Sequence, residues 1–220
     1  MDQSIRRFIA GLADPNLFSG GGAVAAVTLA ESLAITRLVV TLAARRRSLA
    51  NRRPELESLL AALEGLEPSL LGAADRDMAA LASLLDAQRA ARFATPEQRA
   101  AAQAEVATAL GRAAVVPAET AEHALELLRL IRRAVPFATR FTVSDLGAAA
   151  ALASGAAEAS LLMCEVNLAL IGNDADFADL HARVAGIRQQ APAIAGEVVE
   201  LTRARISGAL PEEGPHGHDA

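Results

Sequence analysis

Carboxylates, guanidiniums and a run of glycines are the groups in this sequence able to do chemistry, and their spacing limits which of them can act together. Asp75 and Asp77 stand two apart in a stretch of helical periodicity. Their side chains therefore diverge by about 200° around the axis, and only one of the two can face a given site. Asp145 follows Ser144 at the start of a second apolar stretch, where an acid serves either as a partner of the helix dipole or as a catalyst. Glu31 lies in the middle of an apolar run, where it needs either a raised pKa or an ionic partner, such as an Arg37 on a neighbouring helix across a dimer axis.

Ser19-Gly20-Gly21-Gly22-Ala23 marks the passage from an irregular segment into a long apolar run. Glycines at such a place either offer backbone N–H groups to an anion or form a tight corner against another helix. The absence of a lysine and of P-loop spacing speaks against nucleotide binding. Arg45-Arg46-Arg47, with Arg52 and Arg53, can hold carboxylates or phosphates, or can be a solvated helix end. Cys164 falls within an apolar helix and reads as core, and His123 and His181 are isolated and read as structural. His216 and His218 are two ligands on a polar tail and make no metal site, so none is expected.

The elements that must position these groups are helices. The sequence has 220 residues, of which 52% are hydrophobic but only 3% aromatic, so the core must be built of Ala, Leu, Val and Ile. Small and unbranched side chains favour close helix packing over pleated sheets. Met1 to Leu12 gives a short amphipathic helix with Ile5, Phe8, Ile9 and Leu12 on one side, and Asp14-Pro15-Asn16 ends it. The next helix carries Gly22, Ala26, Ala30 and Ala34 at four-residue intervals, and a later one repeats the pattern at Gly147, Ala151 and Gly155. Two such stripes predict two helices meeting closely. Pro54 opens a third helix reaching about Gln88, which Gly65 and Pro68 should kink or interrupt.

Thr95-Pro96-Glu97-Gln98 is a start signal, with Thr95 as N-cap and Gln98 reaching back, for a helix to about Arg133 divided by Pro117. Ser144-Asp145 begins a fifth helix ending at Gly172-Asn173, and Phe177, Leu180, Val184 and Ile187 mark a last one to about Ile206, kinked near Pro192. The expected architecture is all-α: a bundle of long, partly kinked helices over residues 1–208, followed by a disordered tail over residues 209–220. The 22-residue run from Ala23 to Ala44 approaches membrane-spanning length but carries Glu31 and Arg37, and reads as a core helix of a soluble protein. A net charge of −5 argues against general nucleic-acid binding. A single cysteine and no secretory leader fit a cytoplasmic protein.

The order of these features is more specific than any one of them. A short helix, the glycine loop, a small-residue helix, a basic triplet, an Asp-bearing helix, Thr95-Pro96-Glu97-Gln98, Val116-Pro117, Ser144-Asp145 and Val166-Asn167-Leu168 together resemble the cyclodeaminase/cyclohydrolase family of folate enzymes. The resemblance covers about residues 4–206. It implies an all-helical homodimer that binds a tetrahydrofolate derivative as substrate, holds no permanent cofactor, and has its folate cleft close to the subunit contact.

Carried over position by position, the resemblance makes Gly20, Gly21 and Gly22, the triplet Arg45, Arg46 and Arg47, Ser144 and Asn167 substrate-binding residues, and Asp77 and Asp145 catalytic ones. Asp77 is selected over Asp75 because Ala80-Leu81 stands where the family has Ala-Phe. Ser19 replaces the family's proline, Ser48 its aromatic after the triplet, Leu81 its phenylalanine and Ala138-Thr139 its Gly-Asn. The loss of two aromatics removes flat surfaces on which a pterin rests.

The implied reaction is hydrolysis of 5,10-methenyltetrahydrofolate or cyclodeamination of 5-formiminotetrahydrofolate. A free-standing domain favours the hydrolysis. Asp77 would meet the substrate cation or the attacking water, Asp145 would position pterin or water, and the arginines would pair with the glutamate carboxylates. The alternative in another class is a catalytically silent helical dimer serving as a binding or assembly subunit.

Overall fold

The computed structural model describes residues 4–14, 20–171 and 175–210. They form six α-helices: α1 (Ile5–Leu12), α2 (Gly21–Ala44), α3 (Arg53–Arg92), α4 (Arg99–Ala134), α5 (Val143–Ile171) and α6 (Ala178–Ile206), with short 3-10 segments at Arg47–Arg52, Val135–Phe137 and Ala175–Phe177. No strand occurs among the described residues. The core is made of the predicted residue types. Ala114, Ala118, Ala121 and Ala124 of α4 and Ala149, Ala150, Ala153 and Ala157 of α5 are buried in one cluster with the leucines of α3. Methyl-sized side chains allow these axes to approach closely, which is how a chain without Trp or Tyr reaches a packed interior.

α2 and α5 run antiparallel against one another. Ser32 donates its hydroxyl to the carbonyl of Ala149 at 2.8 Å, while Gly21 lies beside Met163 further along. The contact does not use the two small-residue stripes. A four-residue step advances about 400° around a helix, so a stripe drawn at that interval drifts about 40° per step. Gly22 and Ala26 are buried, but Ala34 has turned outward. On α5, Gly147 faces α6, and Ala151 and Gly155 are exposed. A Cβ on Gly147 would come within 2.9–3.2 Å of three side-chain atoms of Thr202. Gly147→Ala is therefore expected to destabilise the bundle by about 1–3 kcal/mol, measured as a lowered denaturant midpoint at unchanged slope.

Prolines do not divide the helices. Pro68 and Pro192 lie inside continuous α3 and α6 on solvent-facing sides, where water can satisfy the carbonyls four residues earlier that lose their helical donors. Pro117 also lies inside a continuous helix, α4, but is buried. Thr95–Gln98 forms the expected reach-back, with the Gln98 amide oxygen accepting from the Thr95 N–H at 3.2 Å, but as a separate turn ahead of α4, which begins at Arg99. The start of α5 is organised by Thr139 and Thr142, whose hydroxyls accept from each other's backbone N–H at 3.0 and 3.2 Å. Ser144 instead donates to the Phe141 carbonyl from inside the first turn. Gly172-Asn173 and the tail from Pro211 lie outside the described residues.

At 1.5 Å per residue α3 is about 60 Å long and α2 about 36 Å. Asp77 of α3 lies level with the first turn of α2, so the remainder of α3, with the facing part of α4, projects beyond that end of the bundle. The arm has its own small core of Leu84, Ala87, Ala109, Leu110 and Ala113, against which Ile171 packs. α1 lies across the base, with Phe8 against Ala23, Ala26, Ala73 and Ala74.

Candidate active site

On α3 the residues Leu59, Leu63, Leu66, Leu70, Ala73 and Ala74 form the buried stripe, and Asp77 continues it at the next helical step. Asp75 points to the exposed side. This periodicity separates the two acids without any reference to other proteins, and it is the signal that picks out Asp77. The stripe carries the Asp77 carboxylate to the glycine-led start of α2, where it accepts a hydrogen bond from the backbone N–H of Ala23.

A Cβ on Gly22 would overlap all three heavy atoms of that carboxyl group, so the third glycine is what admits it. Burial pushes the Asp77 pKa above the ordinary carboxylate range, and the Ala23 N–H opposes this only in part. Among the described residues no guanidinium pairs with it. A half-buried carboxylate held by backbone and lacking a fixed cation is suited to a substrate that brings the positive charge.

Met163 of α5 forms the next wall, with its Sδ 3.5 Å from where a Cβ on Gly21 would stand. One turn further along the same helix, Asn167 donates through Nδ2 to the carbonyls of Ala113, at 2.8 Å, and of Met163, at 2.9 Å. Nothing in the sequence pointed to Met163. Gly20 has no neighbour within 4 Å of its would-be Cβ, and Ser19 lies outside the described residues. Gly20, Gly21, Gly22, Asp77 and Asn167 are thus brought to one end of the bundle, beneath the projecting arm.

Arg45, Arg46, Arg47, Ser144 and Asp145 are at the other end. From Asp145 to Met163 is 18 residues along α5, roughly 27 Å. Within one chain the two proposed catalytic acids therefore cannot meet in one site. Arg46 donates to the Phe137 carbonyl at 3.1 Å, and the buried Arg205 donates to that of Ala138 at 3.1 Å, so two guanidiniums hold the loop that leads into α5. Arg52 pairs with Glu55 and lies over the Phe137 ring, 4.8 Å from its centroid.

Glu31 is not buried. It lies on the exposed side of α2, and Arg37 pairs with Glu67 at 2.9 Å and Glu64 at 3.3 Å on α3. Cys164 is enclosed, and burial raises its thiol pKa to about 11, which leaves it a core residue. His181 is exposed, and His123 is half-buried. No group of three or more metal-ligating side chains occurs among the described residues.

A groove of about 620 Å³ between α5 and α6 is lined by Ala151, Gly155, Pro192 and Gly196 among others, and Asp77 is not part of its lining.

Comparison with known proteins places the chain in a family. The formiminotransferase-cyclodeaminase family model matches residues 4–186. A methenyltetrahydrofolate cyclohydrolase of Methylorubrum extorquens is 24% identical over 206 residues, spanning 94% of this chain and 99% of that relative. The crystal structure of formiminotetrahydrofolate cyclodeaminase from Thermotoga maritima superposes with a TM-score of 0.76 at 20% identity, over 94% of this chain and 98% of the other, and so shares its fold. With most of its length matched by the family model and a similar fold in a solved structure, the chain belongs to the formiminotransferase-cyclodeaminase family.

Proposed function

We propose that this protein is a folate one-carbon enzyme that hydrolyses 5,10-methenyltetrahydrofolate to 10-formyltetrahydrofolate, with cyclodeamination of 5-formiminotetrahydrofolate as the second candidate reaction. The observation that carries the proposal is Asp77: a carboxylate without a guanidinium partner among the described residues, seated at the glycine start of α2. Both named relatives act on one-carbon tetrahydrofolates.

The methenyl substrate carries a delocalised amidinium cation, which an ionised Asp77 attracts in a site partly shielded from water. Water then adds to the methenyl carbon and passes a proton to Asp77, whose raised pKa makes it a better base than an exposed carboxylate. The bond from that carbon to N5 breaks as N5 takes up a proton, which Asp77 can return. The carbinol O–H is lost as the formyl group forms, so one proton is released overall. The test is the decay of the substrate's near-ultraviolet absorption against a buffer blank and Asp77→Asn. Decay no faster than blank, together with no ammonia released from the formimino substrate, would leave the silent scaffold as the better reading.

The protein further acts, in this proposal, as a cytoplasmic homodimer. α2 and α5 are each long and apolar enough to cross a membrane, with half of each apolar window buried in the bundle. Their outer sides expose Val24, Leu38 and Leu42 on α2 and Leu152, Leu162 and Val166 on α5. Glu31 and Glu158 interrupt these faces, which favours a protein partner over lipid.

A second copy laid antiparallel on this surface would set Arg45–Arg47, Ser144 and Asp145 of one protomer beside Gly20–Gly22 and Asp77 of its partner. That is the arrangement in which the arginines can meet the glutamate carboxylates of a folate held at Asp77. Leu38→Arg is expected to give a soluble monomer by sedimentation and to lower kcat/KM on the methenyl substrate by about tenfold or more. A variant that is monomeric yet fully active would refute the shared site.

A further inference from the structure

Resting on the folate reading above, we infer that Pro117 is a positioning residue and that it fixes Asn167 as a group able only to accept a hydrogen bond from the substrate. Pro117 has no N–H, so the carbonyl four residues earlier, that of Ala113, has no helical donor. The equivalent carbonyls at Pro68 and Pro192 lie on solvent-facing sides, but Ala113 and Pro117 are buried. A buried orphan carbonyl must find a donor. It finds Nδ2 of Asn167, at 2.8 Å across the α4–α5 contact.

The second Nδ2 proton goes to the Met163 carbonyl at 2.9 Å, one turn back on α5. With both amide protons engaged by carbonyls, which end of the side chain is nitrogen is set by the network. The only capacity left is acceptance at Oδ1, which no described residue occupies. Met163, four residues before Asn167, lines the Gly21 side of the Asp77 site. Asn167 therefore presents a fixed acceptor to that end of the bundle.

Such an acceptor selects a substrate with an N–H donor held a short distance from its cationic carbon. The amide- and amine-type N–H groups of a reduced pterin have that chemistry. An oxyanion or a carbonyl facing the same atom would be repelled, so the glutamate carboxylates of a folate are excluded from this position. The side chain acts through binding and orientation and takes no part in proton transfer.

The test is a double-mutant cycle on the full-length protein, with methenyltetrahydrofolate turnover and thermal midpoint both measured. Asn167→Ala is expected to raise KM about tenfold, the worth of one neutral hydrogen bond, with kcat within about threefold of the parent. Asn167→Asp keeps an acceptor but cannot donate to two carbonyls, so its KM should rise at least as far.

Pro117→Ala returns an N–H to the Ala113 carbonyl and loosens Asn167, raising KM about threefold without lowering the thermal midpoint. In the double variant Pro117→Ala/Asn167→Ala, KM should equal that of Asn167→Ala alone while the midpoint recovers, because the restored helical N–H takes over the carbonyl. A purely structural role would move midpoint and KM together. An active parent whose Asn167→Asp variant keeps its KM, or in which the two substitutions multiply, would overturn this assignment and leave the functional reading standing. A parent without turnover would overturn both.

Discussion

Asp77→Asn is expected to fold, to keep its affinity for a neutral reduced folate, and to lose about a thousandfold in kcat on methenyltetrahydrofolate, within the range that a positioned acid–base group contributes. Asparagine keeps the acceptor that receives the Ala23 N–H and fits beneath Gly22, so the geometry at the start of α2 is preserved. What it removes is the negative charge and the proton-carrying oxygen.

The pH profile separates these effects from a misfolded site. Because burial raises the Asp77 pKa, the parent's kcat/KM should fall at low pH along a limb centred above the ordinary carboxylate range, and the residual activity of the variant should lack that limb. Stability moves in the opposite sense. Between the ordinary and the raised value the folded protein holds a proton that the unfolded chain has released, so stability falls as pH rises through that window. Above the window the ionised, half-buried carboxylate remains a constant cost. Asp77→Asn should therefore raise the thermal midpoint at neutral pH, and the gain should shrink as pH falls into the ordinary carboxylate range. A variant that is both inactive and less stable at pH 7 would show that Asp77 serves the fold.

The helices were legible because their signals are local. Pro54 at the start of α3, the polar step before α5 and the apolar spacing of Leu180, Val184 and Ile187 on α6 each depend on residues a few positions apart. The two small-residue stripes misled because a constant four-residue interval was treated as one face. The true inward face of α2 alternates steps of four and three, through Gly22, Ala26, Leu29, Leu33 and Thr36, with Ala25 and Ser32 buried beside them. The cost of a proline alone does not tell whether it divides a helix, as expected at Pro117, because that depends on where the freed carbonyl points. Two point to water, and one is met by Asn167, 54 residues away from it.

The candidate residues could be named one by one from the sequence, but their arrangement could not. Which end of a helix meets which end of another is a property of topology, and no local pattern separates Asp145 from Asp77. The antiparallel passage of α2 along α5 does so, placing Arg45–Arg47 and Asp145 together and far from Gly22. The resemblance joined all of these residues in one site, and the single chain divides them between its two ends.

Gly22→Ala should be nearly as damaging to turnover as loss of the carboxylate itself, although neither glycine nor alanine has a reactive group. The added Cβ would occupy the space of the Asp77 carboxyl, whose Cγ and Oδ2 both stand 2.5 Å from it. Asp77 is a short side chain on a long packed helix, so it can yield only by rotating out of its seat and giving up the Ala23 N–H. A loss of about a hundredfold or more in kcat/KM is expected, with a fall in stability of about 1–3 kcal/mol from the crowding.

The neighbouring glycines supply the control. A Cβ on Gly21 would meet Met163 at ordinary contact distance and one on Gly20 would meet nothing, so both alanine variants should retain most of the activity. If the three glycines served instead as a backbone cradle for an anion, all three substitutions would be felt to a similar degree. The steric account also predicts strong non-additivity: once Asp77→Ala has emptied the space, adding Gly22→Ala should cost almost nothing in stability. Equal penalties in both backgrounds would mean that the third glycine is required for something other than the carboxylate above it.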